Sequence, residues 1–285
     1  MTLSDLPALR EVIAAHDLGA DKRFGQHFLL DLNLTAKIAR QCGPMNEASV
    51  FEVGPGPGGL TRALLAQGAG ELIAIEKDAR FQPALDQIAR AASGRLKRVD
   101  ADALKVDEAA IETMFQSRIM ASNLPYNVGT ALLIKWLSAE PLWWTRLVLM
   151  FQKEVADRVT AKAGDKAYGR LAILTSAVAQ ARYAFTVPAR AFTPPPKVDS
   201  AVVVLEPLSE AERFADLEAL SKVTESAFGQ RRKTLRKSLA AAASQCRAGP
   251  EDLLARTGLD PGARAETIAP EGFFALARAW RAARD

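Results

Sequence analysis

Glu52-Val53-Gly54-Pro55-Gly56-Pro57-Gly58-Gly59-Leu60-Thr61 follows a short apolar run, Val50 to Val53, and opens a helical pattern near Leu60. A glycine-rich turn between a strand and a helix lets a ligand approach the backbone, and the helix N-terminus favours electronegative ligand groups. Outward from this turn, between Ser49 and Phe151, short apolar runs alternate with helical stretches, the pattern of β-α units on a mostly parallel sheet. Strands are expected at 50–53, 71–75, 96–99, 119–122 and 147–151, with helices near 60–67, 81–91 and 128–137 between them.

Before the turn, the sequence predicts helices over 6–15 and 32–42, the second capped by Asp31 or Asn33 and stopped at Gly43-Pro44. After it, a helix over 153–160 leads into Lys162 to Arg170, a small, charged stretch that reads as a mobile loop at the mouth of a site. A helix over 171–180 precedes two β-rich runs, 184–187 and 201–205, which read as a closing hairpin at the sheet edge, connected through Pro194-Pro195-Pro196. At Pro207 strand residues give way to Ala, Leu, Arg and Glu. The expected division is an α/β domain over 1–207, with an N-terminal arm over 1–30, and a small helical domain over 208–285.

A chain of 285 residues can bury one large core and a smaller one. With 49% hydrophobic and 25% charged residues and a mean hydropathy of -0.01, it has no long uncharged run to cross a bilayer. Asp5, Arg10, Glu11 and Asp17 interrupt any signal-peptide core, so a cytoplasmic location is expected. Cys42 and Cys246 lack ligand-like neighbours and read as reduced thiols, and no cluster of His, Cys and Asp suggests a metal. The net charge of +4 says little, but five of the seven residues from Arg231 to Lys237 are basic. Arg231, Arg232, Lys233, Arg236 and Lys237 are expected on one side of a helix, with Phe228, Leu235 and Leu239 on another, a surface suited to phosphates.

The glycine turn alone leaves two ligands open. Gly54, Gly56 and Gly59 satisfy the dinucleotide spacing, with Glu76 about 20 residues on as the ribose acid. Against a pyrophosphate, Pro55 and Pro57 lack backbone donors, and Glu52 places a carboxylate beside the turn. Asp102, after the third strand, adds an acid at the carboxyl edge of the sheet, where open α/β sheets bind ligands. A cationic nucleoside without phosphates fits better. In S-adenosylmethionine, Glu76 would take the ribose hydroxyls, Asp102 the adenine amino group, and the glycine turn the amino-acid end.

One further run joins these. Asn123-Leu124-Pro125-Tyr126, with the glycine turn, Glu76 and Asp102, resembles the motif set of N6-adenine methyltransferases acting on ribosomal RNA. Lys22-Arg23-Phe24-Gly25-Gln26-His27-Phe28-Leu29, the stretch from Phe192 to Ser200, and that from Phe228 to Leu239 resemble the small-subunit ribosomal RNA adenine dimethyltransferases of the KsgA/RsmA type. The resemblance implies a Rossmann-like S-adenosylmethionine-dependent methyltransferase domain with a small C-terminal all-helical domain.

An exocyclic adenine amine is a poor nucleophile, and two acceptors on its N–H bonds would aim its lone pair at the methyl group. The side-chain oxygen of Asn123 and the carbonyl of Leu124 suit that role, with Pro125 stiffening the turn and Tyr126 offering a π face worth about 0.5–2 kcal/mol. By the resemblance, Phe192 stacks on the opposite face of a flipped adenine at the pocket mouth, and His27 and Leu29 close over the methionine portion of the methyl donor, with Gly54, Gly56, Glu76, Asp102 and Asn123 completing its site. Many relatives carry Asn where this chain has His27, so a backbone contact is expected there. The substrate implied is small-subunit rRNA within a pre-ribosomal 30S particle, dimethylated at two adjacent adenosines in a hairpin loop near its 3′ end by a monomeric enzyme. Competing readings are a resistance-type methyltransferase of large-subunit rRNA, a mainly non-catalytic assembly factor, and a dehydrogenase.

Overall fold

The structure is a computed structural model describing residues 2–19 and 26–284. The Lys22 to Gly25 part of the N-terminal motif lies outside the described residues. The chain divides into two compact units, Met1–Ala156 with Arg182–Glu206, and Asp157–Ala181 with Pro207–Asp285. The second unit therefore takes residues 157–181 in addition to the tail expected from composition.

The first unit is built on a seven-stranded sheet. Its strands are β2 (Ala48–Val53), β3 (Glu71–Glu76), β4 (Leu96–Asp100), β5 (Ser117–Asn123), β6 (Arg146–Gln152), β7 (Ala179–Val187) and β9 (Ser200–Pro207), in the order β4-β3-β2-β5-β6-β9-β7. The strands from β4 to β6 run parallel, and β9 lies antiparallel to β6. The alternating units from Ser49 to Phe151 thus form the sheet core, and the two later runs close one edge with β9 inside β7. β2 is buried along all six residues, as a parallel strand covered on both faces must be. Around the sheet lie α1 (Leu9–Ala15), α2 (Leu32–Ala39), α3 (Gly59–Ala66), α4 (Gln82–Ala91) and α5 (Gly129–Leu137). Asp31 caps α2 by accepting from the amides of Asn33 and Leu34, and a 3-10 turn from Arg40 to Cys42 leads to Gly43 at φ 74°.

Register sets the site. Val53 pairs with Ile75 and Glu76 with Asp100, while Phe51 pairs with Met120. Glu52, Glu76, Asp102 and Asn123 consequently come from the carboxyl ends of four neighbouring strands, where open α/β sheets bind ligands. A two-stranded ladder, unforeseen in the sequence, joins β1 (Phe28–Leu29) to β8 (Phe192–Thr193), pairing Phe28 with Thr193 and Leu29 with Phe192.

The second unit contains α7 (Arg170–Val178), α8 (Leu217–Gly229), α9 (Leu235–Ser238), α10 (Ala240–Ala243), α11 (Pro250–Thr257) and α12 (Pro270–Arg284), while α6 (Lys153–Thr160) crosses the division. Two expectations are corrected here. The stretch from Lys162 to Arg170 is held down: Tyr168 is 1% exposed, its hydroxyl donates to the Ile268 carbonyl at 2.9 Å, and the Gly164 amide donates to the Glu266 carbonyl at 2.8 Å. A large ring with a satisfied hydroxyl outweighs the small polar residues around it. The basic stretch is not one helix, because α8 ends at Gly229, Lys233 turns back to the Gln230 carbonyl, and extended Thr234 pairs with Arg264 before α9 begins. Tyr168→Phe leaves the buried Ile268 carbonyl unpaired and is expected to cost about 1–2 kcal/mol in urea unfolding.

Candidate active site

The glycine turn spends its own donors. The Gly54 amide donates to the Ile75 carbonyl at 2.9 Å, that of Gly56 to Glu76 Oε2 at 3.1 Å, and that of Gly58 to the Pro55 carbonyl at 3.0 Å. Pro55 and Pro57 have none to give. No N–H between 54 and 58 is left for a pyrophosphate, which counts against the dinucleotide reading that the spacing had kept open.

Beside the turn lies a cavity of about 260 Å³, walled by Ile75, Phe81, Leu104 and Leu132 and edged by Glu76 and Asp102. Its flat apolar walls and acidic rim suit a nucleoside. Glu76 accepts the Gly56 amide on one oxygen and the Asp78 amide on the other at 2.8 Å, with the Lys77 amide also bonded to it, and its four lone pairs leave room for a hydroxyl donor. Burial raises its carboxyl above the ordinary range, against the pull of those amides. Asp102 accepts from Lys77 Nζ at 2.9 Å and from the Leu104 amide at 3.1 Å, and the Lys77 bond, the larger cause, lowers its pKa.

A second cavity continues from the first, sharing Gln26, Gly54, Gly56 and Pro125, and is lined by His27, Leu29, Glu52, Asn123, Leu124 and Tyr126. Here Asn123 Nδ2 donates to the His27 backbone carbonyl at 3.3 Å. A carbonyl can only accept, so the amide of Asn123 is oriented and its Oδ1 is left as an acceptor. Among the described residues the Leu124 carbonyl takes no hydrogen bond, whereas the Pro125 carbonyl takes the amides of Val128 and Gly129. The turn therefore presents two open acceptors in succession. Tyr126 is fixed by its hydroxyl, 2.6 Å from Ser200 Oγ, and its ring lies 5.3 Å from that of His27. Burial raises the phenol pKa, partly offset by Ser200. The His27 backbone carbonyl is engaged by Asn123, and its ring Nδ1 meets the Pro194 carbonyl at 2.8 Å.

Phe192 departs from expectation. It is 3% exposed, belongs to the main apolar core and lines neither cavity, because its pairing with Leu29 turns the segment inward. Sequence reasoning gave no role to Ser200, which anchors Tyr126, or to Ser122, whose hydroxyl donates to the Val53 carbonyl at 2.5 Å. Both lie inside stretches singled out for other residues, and single hydroxyls carry no spacing signal. In the second unit Arg231, Arg232, Lys233, Arg236 and Lys237 are all exposed. Arg231 donates to the Lys166 and Tyr168 carbonyls, and Arg236 lies 3.6 Å from Glu251, whereas Arg232, Lys233 and Lys237 have no partner among the described residues.

The sheet order, the donor-free glycine turn and the acid-edged nucleoside cavity define a Rossmann-like S-adenosylmethionine-dependent methyltransferase. Residues 18–280 match the family described as ribosomal RNA adenine dimethylase, and the chain belongs to that family. It is 63% identical to the ribosomal RNA small subunit methyltransferase A of Maricaulis maris, covering 100% of this chain and 99% of that one. Its counterpart of the same name in Phenylobacterium zucineum is 57% identical, over 100% of this chain and 96% of that one. Among solved structures, a dimethyladenosine transferase from Plasmodium falciparum superposes with a TM-score of 0.75 at 26% identity, over 88% of this chain and 96% of that one. The 23S rRNA methyltransferase ErmE gives 0.67 at 26% identity, over 89% and 99%.

Glu52 is 2% exposed, accepts from Thr61 Oγ1 at 2.7 Å, and burial pushes its pKa from 4.5 up to about 8. The folded protein then holds a proton that the unfolded chain releases above about 4.5, so this group's contribution to stability is present at low pH and is lost as pH rises toward 8. Glu52→Gln removes that dependence. Denaturation of both proteins from pH 4.5 to 8 is expected to show the variant gaining on the wild type with rising pH, by at most about 1.4 kcal/mol per pH unit.

Proposed function

We propose that this chain transfers methyl groups from S-adenosylmethionine to the N6 of two adjacent adenosines in a hairpin loop near the 3′ end of small-subunit rRNA, giving dimethyladenosines during ribosome biogenesis. The observation that carries the reading is the orientation of Asn123, whose amide is turned toward His27 so that Oδ1 and the Leu124 carbonyl stand open side by side. Family membership and the names of the relatives support the substrate class.

Bound in this cleft, S-adenosylmethionine supplies an electrophilic sulfonium methyl group. Glu76 would hold its ribose and Asp102 its adenine amino group, with Gly54, Gly56, His27 and Leu29 around its amino-acid end. Asn123 Oδ1 and the Leu124 carbonyl accept from the N6 hydrogens of the substrate adenine and direct the nitrogen lone pair into the cleft. Pro125 keeps those acceptors fixed before the base arrives, so the rate gain comes from positioning. No strong base is needed, since the alkylated amine becomes acidic enough to yield its proton to water. The monomethylated amine offers one N–H instead of two, so the clamp works through a single acceptor in the second round. Tyr126 provides the aromatic face already lining the cleft, and stacking by Phe192 requires its ring to leave the core. A base already unpaired in a loop avoids most of the cost of flipping.

Arg232, Lys233 and Lys237 form the free cationic part of the RNA surface, and Arg231 and Arg236 combine that role with their protein contacts. The enzyme acts as a cytoplasmic monomer on a pre-ribosomal 30S particle. Tritiated methyl transfer to unmethylated small and large subunits, followed by nucleoside analysis, is expected to yield dimethyladenosine from small subunits only. Asn123→Ala is expected to abolish transfer with donor affinity kept within a few-fold, and unchanged turnover would remove Asn123 from the clamp. Replacing Arg232, Lys233 and Lys237 by Ala is expected to lower the log–log salt slope of RNA binding by about 2–3.

A further inference from the structure

We infer that Lys135, through its hold on the loop from Asp102 to Glu108, sets the shape of the slot that takes the methyl donor's adenine and so governs the preference for an adenine-bearing ligand. This rests on reading the cleft as an S-adenosylmethionine site.

Lys135 lies on α5, the helix that follows the Asn-Leu-Pro-Tyr turn, and it lines neither cavity. Its ammonium donates to the Ala103 carbonyl at 2.8 Å, to the Val106 carbonyl, and to Glu108 Oε2 at 2.7 Å. All three of its protons are spent. Glu108 is 1% exposed, and its second oxygen accepts from Trp136 Nε1 at 3.0 Å, while the Trp136 carbonyl accepts from Trp144 Nε1 at 2.9 Å. A buried carboxylate, a lysine, a tryptophan and two backbone carbonyls thus form one hydrogen-bonded cluster outside the reaction centre.

What this cluster holds is a wall of the nucleoside slot. The Asp102 carbonyl accepts the amides of Lys105 and Val106, and its side chain accepts the Leu104 amide, so residues 102–106 form one tight turn. That turn presents Asp102 and Leu104 to the slot from one side, and α5 presents Leu132 from the other. Leu132 precedes Lys135 by three positions, which places both on neighbouring ground of one helix. The lysine bonds span the gap between the two walls at their outer edge. Removing them leaves two carbonyls without partners and lets the turn carrying Asp102 drift from the helix. Such a drift first weakens the hydrogen bond that Asp102 accepts from the adenine amine, the bond that tells this amine from a carbonyl at the same ring position.

Lys135→Met keeps the aliphatic stem and removes the three donors. Because it strands a buried carboxylate, the double variant K135M/E108Q is the second test, its amide oxygen still able to accept from Trp136. Titration calorimetry with S-adenosylhomocysteine and S-inosylhomocysteine reads the preference, and steady-state methyl transfer divides the effect between KM and kcat. In whichever variants fold, the preference for the adenine ligand is expected to fall about tenfold through weaker adenine binding, with the change appearing in KM for the donor rather than in kcat. An unchanged preference overturns the inference. Equal weakening of both ligands, or a fall in kcat at constant KM, also overturns it, because Lys135 would then only be holding the fold. A wild-type protein that binds neither ligand would instead overturn the reading of the cleft, and the inference with it.

Discussion

The packing of Pro125 on Gly54 is the contact on which the rest of the site depends. Gly54 sits at φ 67°, its amide is tied to the Ile75 carbonyl, and a side chain there would begin 3.4 Å from the Pro125 ring. A residue with a Cβ would be strained by the left-handed backbone, while its Cβ would meet that ring at ordinary contact distance. Glycine at this place lets the nucleoside half of the cleft, hung from β2 and β3, meet the acceptor half, hung from β5. The two cavities share Gly54 and Pro125 as lining, so a ligand in one reaches the acceptors in the other.

Much of this was legible in the sequence because it is carried by local pattern. Buried parallel strands read as short apolar runs, and the observed β2 to β6 each begin or end within two residues of the expected bounds. Glu76 and Asp102 could be placed at strand ends from spacing alone. What local pattern could not show was pairing at a distance. The β1–β8 ladder joins residues more than 160 positions apart, and nothing in Phe28-Leu29 or Phe192-Thr193 announces a two-residue strand. That ladder fixes the His27 carbonyl over Asn123, and it also draws Phe192 into the core. The basic stretch failed for another reason: helical periodicity over 228–239 was real, but Gly229 and the pairing of extended Thr234 with Arg264 outweighed it. Tyr168 makes the same point, since one buried ring ordered a segment whose composition reads as loop.

The three acids of the cleft differ in environment, and the difference bears on which ligand the cleft can hold. Glu52 is sealed beneath the turn and stays protonated near neutral pH. Glu76 is buried but wrapped by backbone donors, and Asp102 stands at the rim with Lys77 beside it. A row of ionised, unscreened carboxylates would repel one another and raise the cost of folding. Distributed in this way, the negative charge lies toward Glu76 and Asp102, while burial favours the neutral form of Glu52 at the floor of the turn. A dinucleotide would place its phosphates over that floor, where the amides of Gly54, Gly56 and Gly58 are already spent and where ionisation of Glu52 would oppose it. A cationic amino-acid end has the opposite relation to the same group. The burial of one carboxyl and the spent amides of Gly54, Gly56 and Gly58 therefore favour the same ligand for independent reasons, and that agreement is what a glycine spacing alone could not supply.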